Sequence, residues 1–214
     1  MISGTFSQNV KFNGKIGGSR RVFEGKPELL TGGFAFDLKD LPKAGSVLPA
    51  GTPVCVDELK RTIKPLQTFA VKEVSGTTIK IVKAVGGVST GTRIKSGDTL
   101  VILGTDLTAA GTPIKVTAVD ETNEEYDTLT VNAATGVSKD TPLAMAQPDG
   151  KPWCVPNALL AYDKCLDANA YEAYGEAAFF SARPVYERRM PPINDAVKKA
   201  LADAGCFFRF SQSR

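Results

Sequence analysis

Carboxylates form the densest group of reactive side chains in this sequence: Asp120, Glu121, Glu124, Glu125 and Asp127 fall within eight residues. Calcium takes six to eight oxygens from a loop of alternating ligands, but this loop lacks the glycine and the ligand spacing of an EF-hand. It reads as the solvated tip of a hairpin. Paired carboxylates can also hydrolyse a glycosidic bond, yet no spacing here sets two of them across a cleft, and few aromatics could form a sugar platform. Cys55, Cys154, Cys165 and Cys206 are scattered, with no CxxC pair. They read as free thiols of a reducing compartment, small buried hydrophobes with no activating group beside them in sequence. Arg183, Arg188 and Arg189 surround Tyr186 in a basic stretch that suits a polar face or a protein interface better than nucleic acid.

The chain has 214 residues and no histidine. That removes the commonest general acid/base and the commonest metal ligand. Ser-His-Asp and Cys-His nucleophile systems are excluded, as are histidine-containing zinc and non-haem iron sites. Neither Gly14 to Gly18 nor Gly86-Gly87 opens a helix as a phosphate loop must, and no GxxxxGK[ST] or GxGxxG is present. We therefore assign no catalytic, cofactor-binding or metal-binding residue, no cofactor and no enzymatic activity. The net charge of +3 is too small to favour nucleic acid or a membrane as partner. Basic side chains exceed acidic ones by three over residues 1–45 and by two over 151–214, and acidic ones lead by two over 46–150. The first residues show neither a basic nor an apolar signal region, and no apolar run approaches the ~20 residues of a membrane span.

Few elements are available to position these groups. Residues 1–45 hold eight glycines punctuated by Phe6, Phe12, Phe23, Phe34 and Phe36 without a sustained period. This favours an extended arm, its phenylalanines seated in pockets of another chain, over a disordered leader. Pro53 to Val56 and Arg61 to Lys64 flank Asp57 to Lys60 as a short hairpin. Leu66 to Val74, Thr77 to Val82 and Thr99 to Leu103 read as strands. Ile114 to Val119 and Asp127 to Val131 alternate around the acidic loop as the best hairpin in the chain. Short strands separated by frequent turns predict a mainly β fold, a sandwich or barrel-like β domain over 46–150. Leu48 to Val54 (Leu-Pro-Ala-Gly-Thr-Pro-Val) is echoed by Thr108 to Ile114 (Thr-Ala-Ala-Gly-Thr-Pro-Ile), which is either a duplicated β unit or common turn chemistry. A C-terminal β segment over 151–214 has one or two strands between Ala177 and Arg189, then one short helix at about 193–204. Ile193, Val197, Ala200, Leu201 and Ala204 form its apolar face, Asn194 or Asp195 its cap, and Gly205 its stop. Cys206 to Phe210 closes the chain as an apolar strand.

Three stretches in order carry a resemblance. They are Leu48 to Val54 with Asp57-Glu58; Val116 to Val131; and Val185 to Pro192 (Val-Tyr-Glu-Arg-Arg-Met-Pro-Pro) followed by the helix and Phe208 to Ser213. Together they resemble the head fiber or capsid decoration proteins of tailed phages, over about residues 46–214. The resemblance implies a non-enzymatic virion protein on the capsid surface, assembled in the host cytoplasm and bound to the major capsid protein. It implies a homo-oligomer, a trimer favoured; the arm over 1–45 lies outside the resemblance, and its residues suit a bridge between neighbouring capsid subunits. The alternative is another phage structural subunit (tail, neck or adhesion protein) whose β domain binds a host surface glycan.

Overall fold

The computed structural model describes residues 20–139, 141–166 and 174–212. The chain begins with β1 (Glu28–Leu29), β2 (Phe34–Phe36), β3 (Val47–Leu48), β4 (Pro53–Asp57) and β5 (Thr62–Pro65). Next come β6 (Thr68–Ser75), β7 (Thr78–Val82), β8 (Ala84–Val85), β9 (Val88–Ser89), β10 (Thr99–Ile102), β11 (Ile114–Asp120), β12 (Tyr126–Val131) and β13 (Pro142–Ala146). The last group is β14 (Ala158–Leu160), β15 (Lys164–Cys165), β16 (Tyr174–Gly175), β17 (Ala177–Phe180), β18 (Val185–Tyr186), α1 (Asp195–Asp203) and β19 (Phe210–Ser211). The fold is mainly β, with one short C-terminal helix among the described residues. None of their helices is long and apolar enough to cross a membrane.

Six strands of the middle group close a barrel in the order β10-β11-β12-β7-β6-β13. Alternation builds it: Ile114 and Val116 of β11 point inward while Lys115 and Thr117 face water. Phe69, Ile79, Ile81, Leu100, Leu129 and Leu143 fill the interior. Register shifts between Val71 and Glu73 and between Val116 and Ala118 add the local bend that closure needs. The predicted hairpin of β11 and β12 is present, with Val119 opposite Leu129.

Strands from before and after the barrel share a seven-stranded sheet, β1-β17-β14-β4-β5-β2-β16. The expected hairpin of β4 and β5 lies inside it, with Val56 opposite Ile63. Strand pairing therefore divides the chain differently from the segments expected at 46–150 and 151–214. Val54 of β4 pairs with Ala158 of β14, so the barrel is an insertion within one sheet. The two Ala-Gly-Thr-Pro turns each precede a strand, but β4 belongs to the sheet and β11 to the barrel. Gly51 needs its positive φ of 78°, and a Cβ there would sit 2.6 Å from that of Met190. Gly111 has no such requirement of φ.

The arm expected over 1–45 is corrected for its second half, while residues 1–19 lie outside the described residues. Phe23, Phe34 and Phe36 are buried in this chain's own core, not held ready for another chain. The reason is β2, which pairs in parallel with β5 and sets Phe36 opposite Ile63. Alternating Phe34 and Phe36 then face Leu48, Val54, Ile63 and Leu160.

Helix α1 spans Asp195–Asp203, shorter than the expected 193–204, with Ala204 as an exposed C-cap and Gly205 at φ 83° ending it. Val197 and Leu201 are its buried face, against the core between barrel and sheet. Asn194 is the cap: its side-chain oxygen accepts from Val197 N at 3.1 Å. Its amide nitrogen donates to the carbonyls of Leu103 and Gly104 at 3.1 and 2.8 Å, tying the helix to the end of β10. We expect Asn194→Ala to cost about 1–2 kcal/mol in urea unfolding; a loss below about 0.3 kcal/mol would show that these bonds carry no net stability. The closing strand is also shorter than expected. Only Phe210–Ser211 forms β19, parallel to β18, and Phe207 upstream of it is 63 % exposed.

Candidate functional site

The acidic loop is held by lysines. Glu121 pairs with Lys43 at 2.7 Å, Glu125 with Lys72 at 2.9 Å, and Asp127 with Lys83 at 3.1 Å. Asp120 accepts from the Thr122 backbone N–H and hydroxyl at 3.0 and 2.7 Å, which holds its carboxyl below the usual range. The Lys72 ammonium does the same for Glu125. Asp127 behaves oppositely: burial raises its carboxyl, although Thr92 donates to it at 2.7 Å. The Lys83 ammonium also donates to the carbonyls of Glu121 and Asn123, at 2.8 and 2.6 Å. Beside the loop lies a cavity of about 390 Å³ lined by polar residues including Lys43, Lys83, Thr92, Glu121 and Asn123. No aromatic side chain is in its lining. Among the described residues no group of three or more cysteine, aspartate or glutamate side chains could hold a metal ion.

The arginines around Tyr186 do not form one patch. Val185 and Tyr186 are β18, and Glu187–Arg189 is a single 3-10 turn. Arg189 lies over the Tyr186 ring at 4.5 Å and donates to the Arg21 carbonyl, so its charge is turned toward the chain. Arg183 and Arg188 remain exposed. Glu187 pairs with Lys198 of α1 at 2.9 Å.

The cysteines are not all solitary. The Cys154 thiol donates to the Lys64 carbonyl at 3.5 Å, and Lys64 sits opposite Cys55 across β4 and β5. Cys154 and Cys55 share a hydrogen bond that lowers the Cys55 thiol to about 7 and pushes the Cys154 thiol well up. Burial raises the Cys206 thiol. No local signal marks this pair, because the whole barrel lies between its members in sequence. A thiolate is the nucleophile, so alkylation of Cys55 by iodoacetamide is expected to rise with pH to half its plateau rate near pH 7. Cys206 should lag behind it at every pH between 6 and 8. Peptide mass mapping checks the order; earlier labelling of Cys206 would contradict it.

The remaining unusual surface is apolar. Phe207 stacks on Phe180 of β17 at a centroid distance of 5.7 Å. Phe180 is opposite Glu28 of β1, an outermost strand of the seven-stranded sheet. Leu59, 97 % exposed, projects from the β4–β5 turn. No family model, curated protein or solved structure matches the chain.

Proposed function

We propose that the protein is a virion structural component, a head fiber or capsid decoration protein that binds the major capsid protein and itself as a homo-oligomer. One observation carries the reading: the exposed Phe207 stacked on half-buried Phe180, beside the edge strand β1. An exposed aromatic ring beside a sheet edge is an aggregation hazard in a monomer and a usable contact in an assembly. The order of the three stretches that resemble head fiber and decoration proteins supports the same reading. Lysines paired with the acidic loop on a β body suit contact more than chemistry.

The test is the mass of the full chain by light scattering, followed by its binding to capsids of the major capsid protein encoded with it. We expect a multiple of 22.7 kDa and saturable binding, with Phe207→Asp reducing the mass toward one protomer. A strict monomer that also fails to bind capsids would overturn the proposal. Deleting residues 1–45 would not test docking, because it removes β1, β2 and Phe34. Removal of 1–19 alone leaves those elements in place.

A further inference from the structure

Two sulfurs far apart in sequence meet where the chain enters and leaves the barrel. Val54 and Val56 of β4 turn into the core of the sheet, so Cys55 between them takes the opposite face, where it is half-buried. Cys154 follows the barrel, after β13 and before β14. Its position is fixed from both sides. Trp153 N donates to the Met145 carbonyl at 3.1 Å, and the Trp153 side chain packs against the barrel core. Asn157 is tied to β4. Its N donates to the Val54 carbonyl at 2.9 Å, its side-chain oxygen accepts from Val56 N at 2.7 Å, and its amide nitrogen donates to the Val56 carbonyl at 2.9 Å. The segment between runs alongside β4, and the Cys154 thiol has two acceptors in reach, the Lys64 carbonyl at 3.5 Å and the Cys55 sulfur.

A buried cysteine is ordinarily a small inert hydrophobe, and Cys206 is one, its thiol committed to the Asn157 carbonyl at 3.0 Å. Cys55 and Cys154 differ in facing each other. The hydrogen bond from Cys154, and more weakly the charge of Lys64, lowers the Cys55 thiol to about 7 against the burial that opposes it. A thiolate partly open to solvent, with a second thiol in contact, is the arrangement of an attacking and a resolving sulfur. Only the attacking sulfur has to meet the oxidant; the resolving one has to meet its partner, and Cys154 already does.

We propose that Cys55 and Cys154 form a redox-active dithiol, which a small-molecule disulfide converts into an intramolecular cystine that locks the entry of the barrel to its exit. The Cys55 thiolate attacks one sulfur of the oxidant. The other half leaves as a thiolate and takes up the proton that Cys55 gave to solvent. The Cys154 sulfur then attacks the Cys55 sulfur of the mixed disulfide, and its proton goes with the second thiol released. Two protein thiols lose two electrons, and one disulfide is reduced to two thiols. The new bond closes a loop of about 100 residues that holds the entire barrel, and closing so long a loop restricts the unfolded chain strongly. The inference does not rest on the virion reading, since neither sulfur belongs to the Phe207 surface.

Equilibration of the full chain with oxidised glutathione tests it, followed by mass mapping of the unreduced peptides. We expect one cross-linked peptide joining Cys55 to Cys154, two hydrogens lighter than its parts. Tm should rise by about 5–10 °C, and dithiothreitol should reverse the rise. In Cys154→Ser the reaction should stop at glutathione on Cys55, with no such rise. Cys206→Ser should form the cross-link as the parent does. Should Cys154→Ser fail to fold, the cross-linked peptide and the reversible rise in the parent chain decide alone. Absence of the Cys55–Cys154 cross-link at every oxidant concentration would overturn the proposal, as would its formation only in urea. So would an unchanged Tm in the cross-linked chain, or an equal rise in Cys154→Ser.

Discussion

Replacing Lys83 with methionine is expected to destabilise the protein by about 3–5 kcal/mol in urea unfolding. Lys83 is 8 % exposed and its partner Asp127 2 %. Removing the ammonium strands a buried carboxylate and leaves the Glu121 and Asn123 carbonyls without their donor. The loss belongs to the broken pair, not to the worth of the intact one. The double change Lys83→Met with Asp127→Leu should therefore recover much of the stability. Acidity supplies a second readout. Burial raises the Asp127 carboxyl above 3.8 in the folded chain, so the folded state takes up its proton first. Stability from that protonation grows as pH falls through the raised value and is lost as pH rises through it. The Lys83→Met defect should accordingly shrink in mild acid. A variant within about 1 kcal/mol of the parent at pH 7, unaffected by pH, would show that the pair does not organise the loop.

Phe34→Ala is expected to cost about 3–5 kcal/mol. The ring is fully buried, packed among Leu48, Val54 and Ile63 and capped by the Arg61 guanidinium 4.5 Å from its centroid. Arg61 adopts a φ of 56°, unusual for a residue with a side chain. In that conformation it also donates to the Thr31 and Gly33 carbonyls, at 2.8 and 3.2 Å. Loss of the ring thus opens a cavity and removes the surface on which Arg61 rests. Leu59→Ala is the control, since a side chain 97 % exposed should cost no more than about 0.5 kcal/mol. Equal effects of the two changes would mean that residues 20–45 are not integral to the body.

What the sequence disclosed follows from how local each signal is. Strict alternation in Ile114 to Val119 and Asp127 to Val131 located two barrel strands and their hairpin. Asn194, Val197, Leu201 and Gly205 located the helix to within two residues at its start. The contribution of residues 20–45 was hidden, because β2 is three residues long and joins β5 in parallel, amid glycines that break any period. Closure of the barrel and insertion of the whole unit into one sheet depend on pairings such as Val54 with Ala158, which no window along the chain contains. The same distance concealed the site chemistry. Lys83, Arg93 and Asp127 lie on separate segments, and of the three only Asp127 belongs to a recognisable group in the sequence, the solvated hairpin tip. Only the fold turns their side chains inward, that of Arg93 against the Thr68 carbonyl and the Phe69 ring.

The insertion of the barrel also orders events in folding. Strands β6 and β13, where the chain enters and leaves the barrel, are antiparallel neighbours with Leu143 opposite Phe69, and Met145 N donates to the Gln67 carbonyl at 2.9 Å. Closing the barrel therefore brings together the two ends of a long loop. The entropy of joining β4 to β14 is then largely spent before those strands meet. Barrel hairpins of low sequence separation can form early, whereas the central pairing of the sheet waits on them. A defect inside the barrel should slow assembly of a sheet it does not touch.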